Sequence, residues 1–505
     1  MEYIAGSSES RAIDRFTIEH TGIPSLVLME RASLAVSEHV MQAAGKDHDV
    51  PICCVCGSGN NGGDGMACAR ILLARGYHVT LYFAGRREKL SHDAGVQMSI
   101  AEKIGVPVVT EHDLTGDAII VDALFGTGLS RNIEGHYAEV IQQINIAHEG
   151  GSTVIAVDIA SGVNTDIGQI MGCAVQADET VTFGYRKAGM LLYPGCRFSG
   201  RITAAEIGFD PNALKTIKMP YYTYNDEDLS RLPPRRADSN KGTYGRVLVI
   251  AGSRNMAGAA CFSAAAAYAA GCGLAIVFTP ECNRNILQIS VPEAVLKTYE
   301  EDTADFGRTD LPQLLKSSTA VIIGPGLGMS DAARSLVRYT VSHCRKPMVI
   351  DADALNIIAD EPDILQSDHA EAVITPHKKE LSRLTRYNIQ YLNENLNDIC
   401  EEFSRQNGVI CIAKDARTMI YAGAGSVYIN TSGCNGMSVG GSGDVLTGII
   451  GGLTAQGLSL QAASELGVFL HGRAGEEAAR EKTSYAMTAS DIIQSIPSVL
   501  SKARI

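Results

Sequence analysis

The chain has 505 residues, too many for one hydrophobic core, and its 45% hydrophobic and 20% charged residues with 51 glycines describe a folded protein of two to four domains. A formal net charge of -13, with no Lys/Arg stripe interleaved with aromatics, excludes nucleic acid as an expected partner. The 13 cysteines lie mostly inside apolar runs such as Ile52-Cys53-Cys54-Val55-Cys56, without a spacing that suits zinc or a disulfide framework, so buried thiols in a reducing cytosol are expected.

In chain order, the start Met-Glu-Tyr-Ile-Ala-Gly has neither the basic residues nor the apolar stretch of a secretory signal, and a cytoplasmic location is expected. Leu26, Met29, Leu34, Val36, Val40 and Met41 recur at helical spacing over residues 26–44, followed by a strand at 50–56. A helix at 65–75 and strands at 79–83, 118–122, 153–158, 180–183 and 202–207 continue the alternation. Prolines, acids and Arg235-Arg236 accumulate between 210 and 241, where periodicity fades, and a domain boundary is placed there. The alternation restarts with strands at 246–250, 275–278, 320–323, 347–350, 372–374 and 409–412. Two α/β domains with mainly parallel sheets follow, expected at 1–215 and 222–505. Residues 256–280 carry no charge and raise the question of a membrane span, but Gly271-Cys272-Gly273 divides them into a helical half and a β-rich half. A buried helix feeding a buried strand is expected, and no membrane association.

The run Gly57-Ser-Gly-Asn-Asn-Gly-Gly-Asp-Gly65 lies between a predicted strand and a predicted helix, where its N–H groups could receive a pyrophosphate; a tight turn without ligand is the plainer alternative. Two further strand ends carry Asp122, before Gly126-Thr-Gly128, and Asp158, before Ser161-Gly162. In an open parallel sheet the carboxyl ends of strands meet in one crevice. Oxygen ligands from Asn61, Asp122 and Ser161 would suit a hard monovalent or divalent cation. Asp158, with no obvious neutralising neighbour, is the expected acid/base group.

In the second half, Gly324-Pro-Gly326-Leu-Gly328, Asp351-Ala-Asp353 and Thr375-Pro-His377 each follow a predicted strand. Gly440-Gly-Ser-Gly443-Asp444 enters an apolar helix; its amides could cradle a transferring phosphoryl group while Asp444 takes a proton from the attacking hydroxyl, although an Asp there also caps helices. This is the pattern of ribokinase-like enzymes.

These motifs carry a resemblance. The first 210 or so residues resemble the NAD(P)H-hydrate epimerase family in Asn-Asn-Gly-Gly-Asp-Gly, Val-Asp-Ala-Leu-Phe-Gly-Thr-Gly and the run from Thr180 to Gly189. Residues from about 225 onward resemble the NAD(P)H-hydrate dehydratase family in Lys241-Gly-x-x-Gly-x-Val-Leu-Val-Ile-Ala-Gly-Ser, Gly-Pro-Gly-Leu-Gly, Asp-x-Asp-Ala-Leu-Asn, Thr-Pro-His and Gly-Gly-Ser-Gly-Asp-Val-Leu. The resemblance implies a Rossmann-like three-layer first domain and a ribokinase-like second one. In the first it implies a hydrate site at Asn60, Asn61, Gly62, Gly63, Asp64, Gly126, Thr127, Gly128, Leu129, Ser130, Arg131, Asn132 and Asp158, with K+ on Asn61, Asp122 and Ser161. In the second it implies hydrate contacts at Ala259, Gly326, His377 and Asp444, and nucleotide contacts at Lys414, Asp415, Ala416, Arg417, Thr418 and Gly443. It implies ADP as co-substrate with Mg2+, giving AMP and phosphate, and a homo-oligomer is expected. Ser33, Ala160 and Asp415 stand where those families usually have glycine, proline and glycine. Another ribokinase-like kinase, releasing a stable phosphorylated product, is the rival reading, and a non-catalytic first domain is a further one.

Overall fold

The computed structural model describes residues 1–503 apart from 367–368 and 424, so the last two residues of the expected second domain lie outside the described residues. Two compact units emerge, Tyr3–Tyr221 and Tyr222–Ile505 with Met1–Glu2. In chain order the first half contains β1 (Glu2–Ile4), α1 (Ser7–Arg15), α2 (Ser25–Ala44), β2 (Ile52–Cys56), α3 (Asn60–Ala74), β3 (Val79–Phe83), α4 (His92–Ile104), β4 (Val108–Val109), β5 (Ile119–Ala123), α5 (His136–Glu149), β6 (Thr153–Val157), β7 (Glu179–Phe183) and β8 (Arg201–Ala205). Its sheet has the order β4-β3-β2-β5-β6-β7-β8, parallel throughout. The fully buried run Ile52–Cys56 is the mark of a central parallel strand covered on both faces. Strand order reverses between β2 and β5, and such a switch point opens a crevice beyond their carboxyl ends.

The second half contains β9 (Tyr221–Thr223), β10 (Arg246–Ile250), α6 (Ala257–Ala269), β11 (Leu274–Pro280), α7 (Arg284–Ser290), β12 (Val295–Tyr299), α8 (Leu311–Ser317), β13 (Ala320–Ile323), α9 (Asp331–His343), β14 (Met348–Ile350), α10 (Asp353–Asp360), α11 (Asp363–Gln366), β15 (Ala372–Ile374), α12 (Lys378–Thr385), α13 (Ile389–Glu394), α14 (Leu396–Asn407), β16 (Val409–Ala413), β17 (Met419–Tyr421), β18 (Val427–Ile429), α15 (Ser442–Ala455), α16 (Leu460–Lys482) and α17 (Ala489–Lys502). Its sheet runs β9-β18-β17-β16-β15-β14-β13-β10-β11-β12; the pairs from β16 to β12 are parallel, and β16-β17-β18 are antiparallel. Its switch point lies between β10 and β13.

The uncharged stretch 256–280 is α6 followed by the buried strand β11, and among the described residues no helix is long and apolar enough to cross a membrane. Small residues on α6 let α15 approach closely: a Cβ at Gly448 would lie 2.3 Å from the Ser263 carbonyl oxygen, and one at Gly452 2.7 Å from that of Ala267. Only glycine fits at such a crossing.

Three expectations change. Helix α3 begins at Asn60, not Gly65, because packing overrides the poor helix propensity of its Asn-Asn-Gly-Gly start. Strand β8 ends at Ala205 and β6 ends at Val157, leaving Asp158 beyond the strand. The strands β1, β4, β9, β12, β17 and β18 are additional; all but β12 are only two or three residues long, and β12 alternates in exposure, so none stands out as an apolar run.

Candidate active sites

At the first switch point, glycines serve packing as much as ligand access. A Cβ at Gly62 would lie 2.0 Å from the Gly57 carbonyl oxygen, and one at Gly65 2.5 Å from the Ala123 Cβ, so α3 is seated directly on β2 and β5. The first-turn N–H groups of α3 lack helical acceptors and leave a positive partial charge at the crevice. The Asn61 side chain lies against Gly126, with 3.0 Å between its Oδ1 and the position of a Cβ there, and its Nδ2 is buried without a hydrogen-bond partner.

Asp122 is completely buried at the end of β5. It accepts from the Ser161 N–H (2.8 Å), the Ser161 hydroxyl (2.6 Å) and the Leu124 N–H (3.3 Å). Burial pushes its carboxyl up to about 6 even though these donors oppose the shift. The Ser161 Oγ also accepts from the Phe125 N–H at 2.9 Å, stitching the loop after β5 to the loop after β6. From there Gly126 accepts from the Leu129 N–H at 3.4 Å and Thr127 from the Thr165 hydroxyl at 3.4 Å, while Gly128, Ser130, Arg131 and Asn132 are exposed.

Asp158 follows β6 with φ +66°, a left-handed conformation unusual for a residue other than glycine and often found at functional sites. The sequence-based view that it lacks a neutralising neighbour is incorrect. Lys187, 2% exposed, donates to Asp158 Oδ1 at 2.5 Å and to the Thr182 hydroxyl at 2.7 Å, and Asp158 also accepts from the Phe183 N–H at 3.2 Å. The lysine arrives from the loop after β7, which strand-end reasoning did not join to Asp158. Two more acids share the area: burial and then Asp158 raise both Asp64, which is well above its ordinary range, and Asp14, which reaches about 6. Asp14, on α1, remains solvent-accessible yet crowded by protein, as befits the wall of a crevice. Its role left no sequence signal, because α1 carries no glycine-rich or strand-end pattern.

In the second unit, Gly326 (φ +60°) brings the loop after β13 against α6, where a Cβ at 326 would lie 2.8 Å from the Ala259 Cβ. The chain turns at Ala352 (φ +50°), so that Asp351 and Asp353 serve different partners. Asp351 accepts from Lys414 Nζ and from the Thr447 hydroxyl, each at 2.8 Å; Asp353 accepts the Gly328 N–H at 2.8 Å. Burial raises the Asp351 carboxyl, but Lys414 and two threonine hydroxyls outweigh it and leave the group below its ordinary range. Gly443 lies over this pair: a Cβ there would be 3.5 Å from Lys414 Nζ.

Asp444 occupies the first turn of α15, after the Gly441 N-cap (φ +90°). Burial and the Asp351 charge push its carboxyl up to about 7 against the opposing pull of Lys414. His377 caps α12, accepting at Nδ1 from the Glu380 N–H at 3.1 Å while its backbone N–H donates to Glu380 Oε2 at 2.8 Å, and its backbone forms a parallel bridge with Lys414. His471, buried and pushed down to about 4 by burial, stands 3.3 Å from the Ser442 hydroxyl. Beyond Lys414, Asp415 and Ala416 are exposed, Arg417 donates to the Thr431 carbonyl at 3.3 Å, and the Thr418 hydroxyl donates to the Asp415 carbonyl at 3.1 Å. Asp415 is paired with Lys378 Nζ at 2.7 Å.

Each unit thus gathers carboxylates, a lysine–aspartate pair and glycine-lined turns beyond the carboxyl ends of parallel strands, which defines the class: a two-domain α/β enzyme. A ribokinase-like superfamily protein from Enterococcus faecalis matches at 28% identity with TM-score 0.52, covering 57% of this chain and 99% of that one. Family models described as NAD(P)H-hydrate dehydratase and YjeF-related protein N-terminus match residues 247–498 and 25–189. Bifunctional NAD(P)H-hydrate repair enzymes of Moorella thermoacetica and Thermofilum pendens are 37% and 36% identical, each over 99% of this chain and 96% and 97% of theirs. The chain belongs to the family of bifunctional NAD(P)H-hydrate repair enzymes.

Proposed function

We propose that the protein restores hydrated NAD(P)H, the first unit interconverting the R and S hydrates and the second dehydrating the S form at the expense of ADP. The observation that carries this reading is Asp444, a carboxyl poised at about 7 at a helix N-terminus beside the Asp351–Lys414 pair. A general base works best when its pKa lies near the working pH.

Hydroxide is a poor leaving group. Asp444 takes the proton of the ring hydroxyl, whose oxygen bonds to the β-phosphorus of ADP as the bond to the bridging oxygen breaks and AMP departs. The ester C–O bond then breaks with help from the ring nitrogen's electron pair, phosphate leaves, and loss of a proton from the adjacent carbon restores the dihydronicotinamide. The N–H groups at the start of α15 and Lys414 offset the phosphoryl charge, with Asp415, Ala416, Arg417, Thr418 and Gly443 about the nucleotide; Ala259, Gly326 and His377 hold the hydrate. Mg2+, which keeps waters and favours phosphate oxygens, would travel with the nucleotide and neutralise its charge.

In the first unit, Asp158 removes and returns a proton as the hydrate opens and closes on the opposite face, with Lys187 holding its carboxylate. The hydrate itself is bound by residues 60–64 and 126–132. The fully buried Asp122 carboxylate, whose partners are one hydroxyl and two backbone N–H groups, carries a charge that a cation would neutralise, and the Asn61 Oδ1 and Ser161 Oγ are the oxygens that could join it. Asn61, Asp122 and Ser161 would hold K+, which would supply positive charge near the cofactor phosphates.

The experiment is to mix purified protein with both hydrate epimers, Mg2+ and either ADP or ATP, and follow NADH absorbance. Nucleotide-dependent recovery of both epimers is expected. Accumulation of a stable phosphorylated product would replace the dehydratase with a kinase.

A further inference from the structure

At the edge of the first sheet opposite Asp122 and Asp158, three side chains unused by the chemistry above come together. Cys53 is the second residue of β2, Asp117 stands just before the neighbouring β5, and His112 lies in the connection from β4 to β5. One potential ligand atom from each, Cys53 Sγ, a His112 ring nitrogen and an Asp117 carboxylate oxygen, lies within 4.8 Å of the other two. His112 Nε2 is 2.8 Å from Asp117 Oδ2. Cys53 is fully buried and Asp117 nearly so, whereas the His112 side chain, 26% exposed, leaves one side of the cluster open to water.

The cluster is held in place. The Asp117 carbonyl accepts the Ser152 hydroxyl at 2.6 Å, the Asp117 N–H donates to Leu114 O at 3.2 Å, and the His112 ring lies 6.5 Å from that of Tyr82. With metal–ligand distances of about 2.0–2.3 Å, tetrahedral coordination separates ligand atoms by about 3.5 Å, within reach of small side-chain rotations here. Thiolate, imidazole and carboxylate together suit zinc far better than the hard cations that all-oxygen sites select.

We propose that Cys53, His112 and Asp117 form a zinc site with its fourth position open to water. Its ligands are distant in sequence, which is why cysteine spacing gave no sign of it. Asp117 precedes Asp122 by five positions, about 16 Å of extended chain, so the ion is a structural clamp between β2 and the β4–β5 connection, remote from the epimerase chemistry. Binding displaces the thiol proton and couples affinity to the stability of the first unit.

Full-length protein stripped with a chelator and titrated with Co2+ tests this. Expected are a thiolate-to-cobalt charge-transfer band saturating at a single equivalent, its loss on adding Zn2+, and a Zn2+-dependent rise in Tm. The Cys53→Ser variant should lose both the band and the rise, and His112→Gln should bind about tenfold or more weakly. A missing band in the native protein, or an unchanged band in Cys53→Ser, overturns the site. Should Cys53→Ser fail to fold, His112→Gln decides: undiminished affinity overturns the proposal.

Discussion

Lys187 Nζ lies 2.5 Å from Asp158 Oδ1, joining the loop after β7 to the residue after β6, and the lysine is almost wholly enclosed. An enclosed ion pair is weak evidence of net stability, but removing one partner leaves the other charge uncompensated. Lys187→Met is therefore expected to destabilise the first unit by about 3–5 kcal/mol. Asp158→Asn keeps the shape but leaves the Lys187 charge uncompensated, so it too should cost stability, and it should lower epimerisation by about a hundred- to ten-thousand-fold with hydrate binding retained. Chemical denaturation and an R-hydrate assay check the two; full epimerisation in Asp158→Asn would remove that residue from the chemistry.

Asp444 sets a pH dependence. Its carboxyl, at about 7 instead of the ordinary 3.8, is protonated below that value and cannot act as a base, so dehydration should rise through pH 7 and level off above. Because the folded form holds its proton more tightly than the unfolded form, this residue's contribution to stability falls as pH rises from about 4 to about 7. Asp444→Asn should accordingly abolish dehydration yet raise Tm above pH 7. A flat rate profile between pH 6 and 8, roughly one unit either side of that pKa, would contradict the assignment.

The cation site gives a prediction by exchange. With Asp122 at about 6, raised by burial, a bound cation would relieve the cost of its ionised form. K+ in place of a large organic cation should raise the Tm of the first unit and the epimerisation rate, and Asp122→Asn should remove both responses. Equal Tm values in the two salts would argue against the site.

Much of this arrangement was legible in the sequence, because apolar strands mark their own ends and a parallel sheet collects those ends. Asp122 and Ser161 meet for that reason. Lys187 belongs to a run that was recognised as a motif, yet no local rule says which carboxylate a lysine in a loop will face. Asn60 to Gly65 misled in another way: its composition describes a loop, while the close seat of Gly62 and Gly65 on β2 and β5 makes it helix. Asp14 and the Cys53–His112–Asp117 cluster are assembled by tertiary contacts alone.

Gly62 supplies a direct test of that helix. A methyl group at this position would meet the Gly57 carbonyl oxygen at 2.0 Å, backbone against which no rotamer can give. Gly62→Ala should cost about 1–3 kcal/mol or more in the first unit and disturb the neighbouring Asn61. Near-native stability with full epimerisation would show that α3 can be lifted from the sheet.

The last prediction concerns Asp415, an acid beside the expected nucleotide phosphates. Lys378 pairs with it at 2.7 Å on an exposed surface, where such pairs contribute about 0–1 kcal/mol to folding. Its effect should appear in binding instead. Lys378→Ala uncovers a negative charge facing a polyanion and should weaken ADP binding, more at low salt than at high, with little change in Tm. Asp415→Gly removes the charge that Lys378 offsets, so Lys378→Ala on that background should weaken binding less. Calorimetric titration of the four proteins gives the coupling between the two residues; a coupling of zero would mean that the pair does not tune nucleotide affinity.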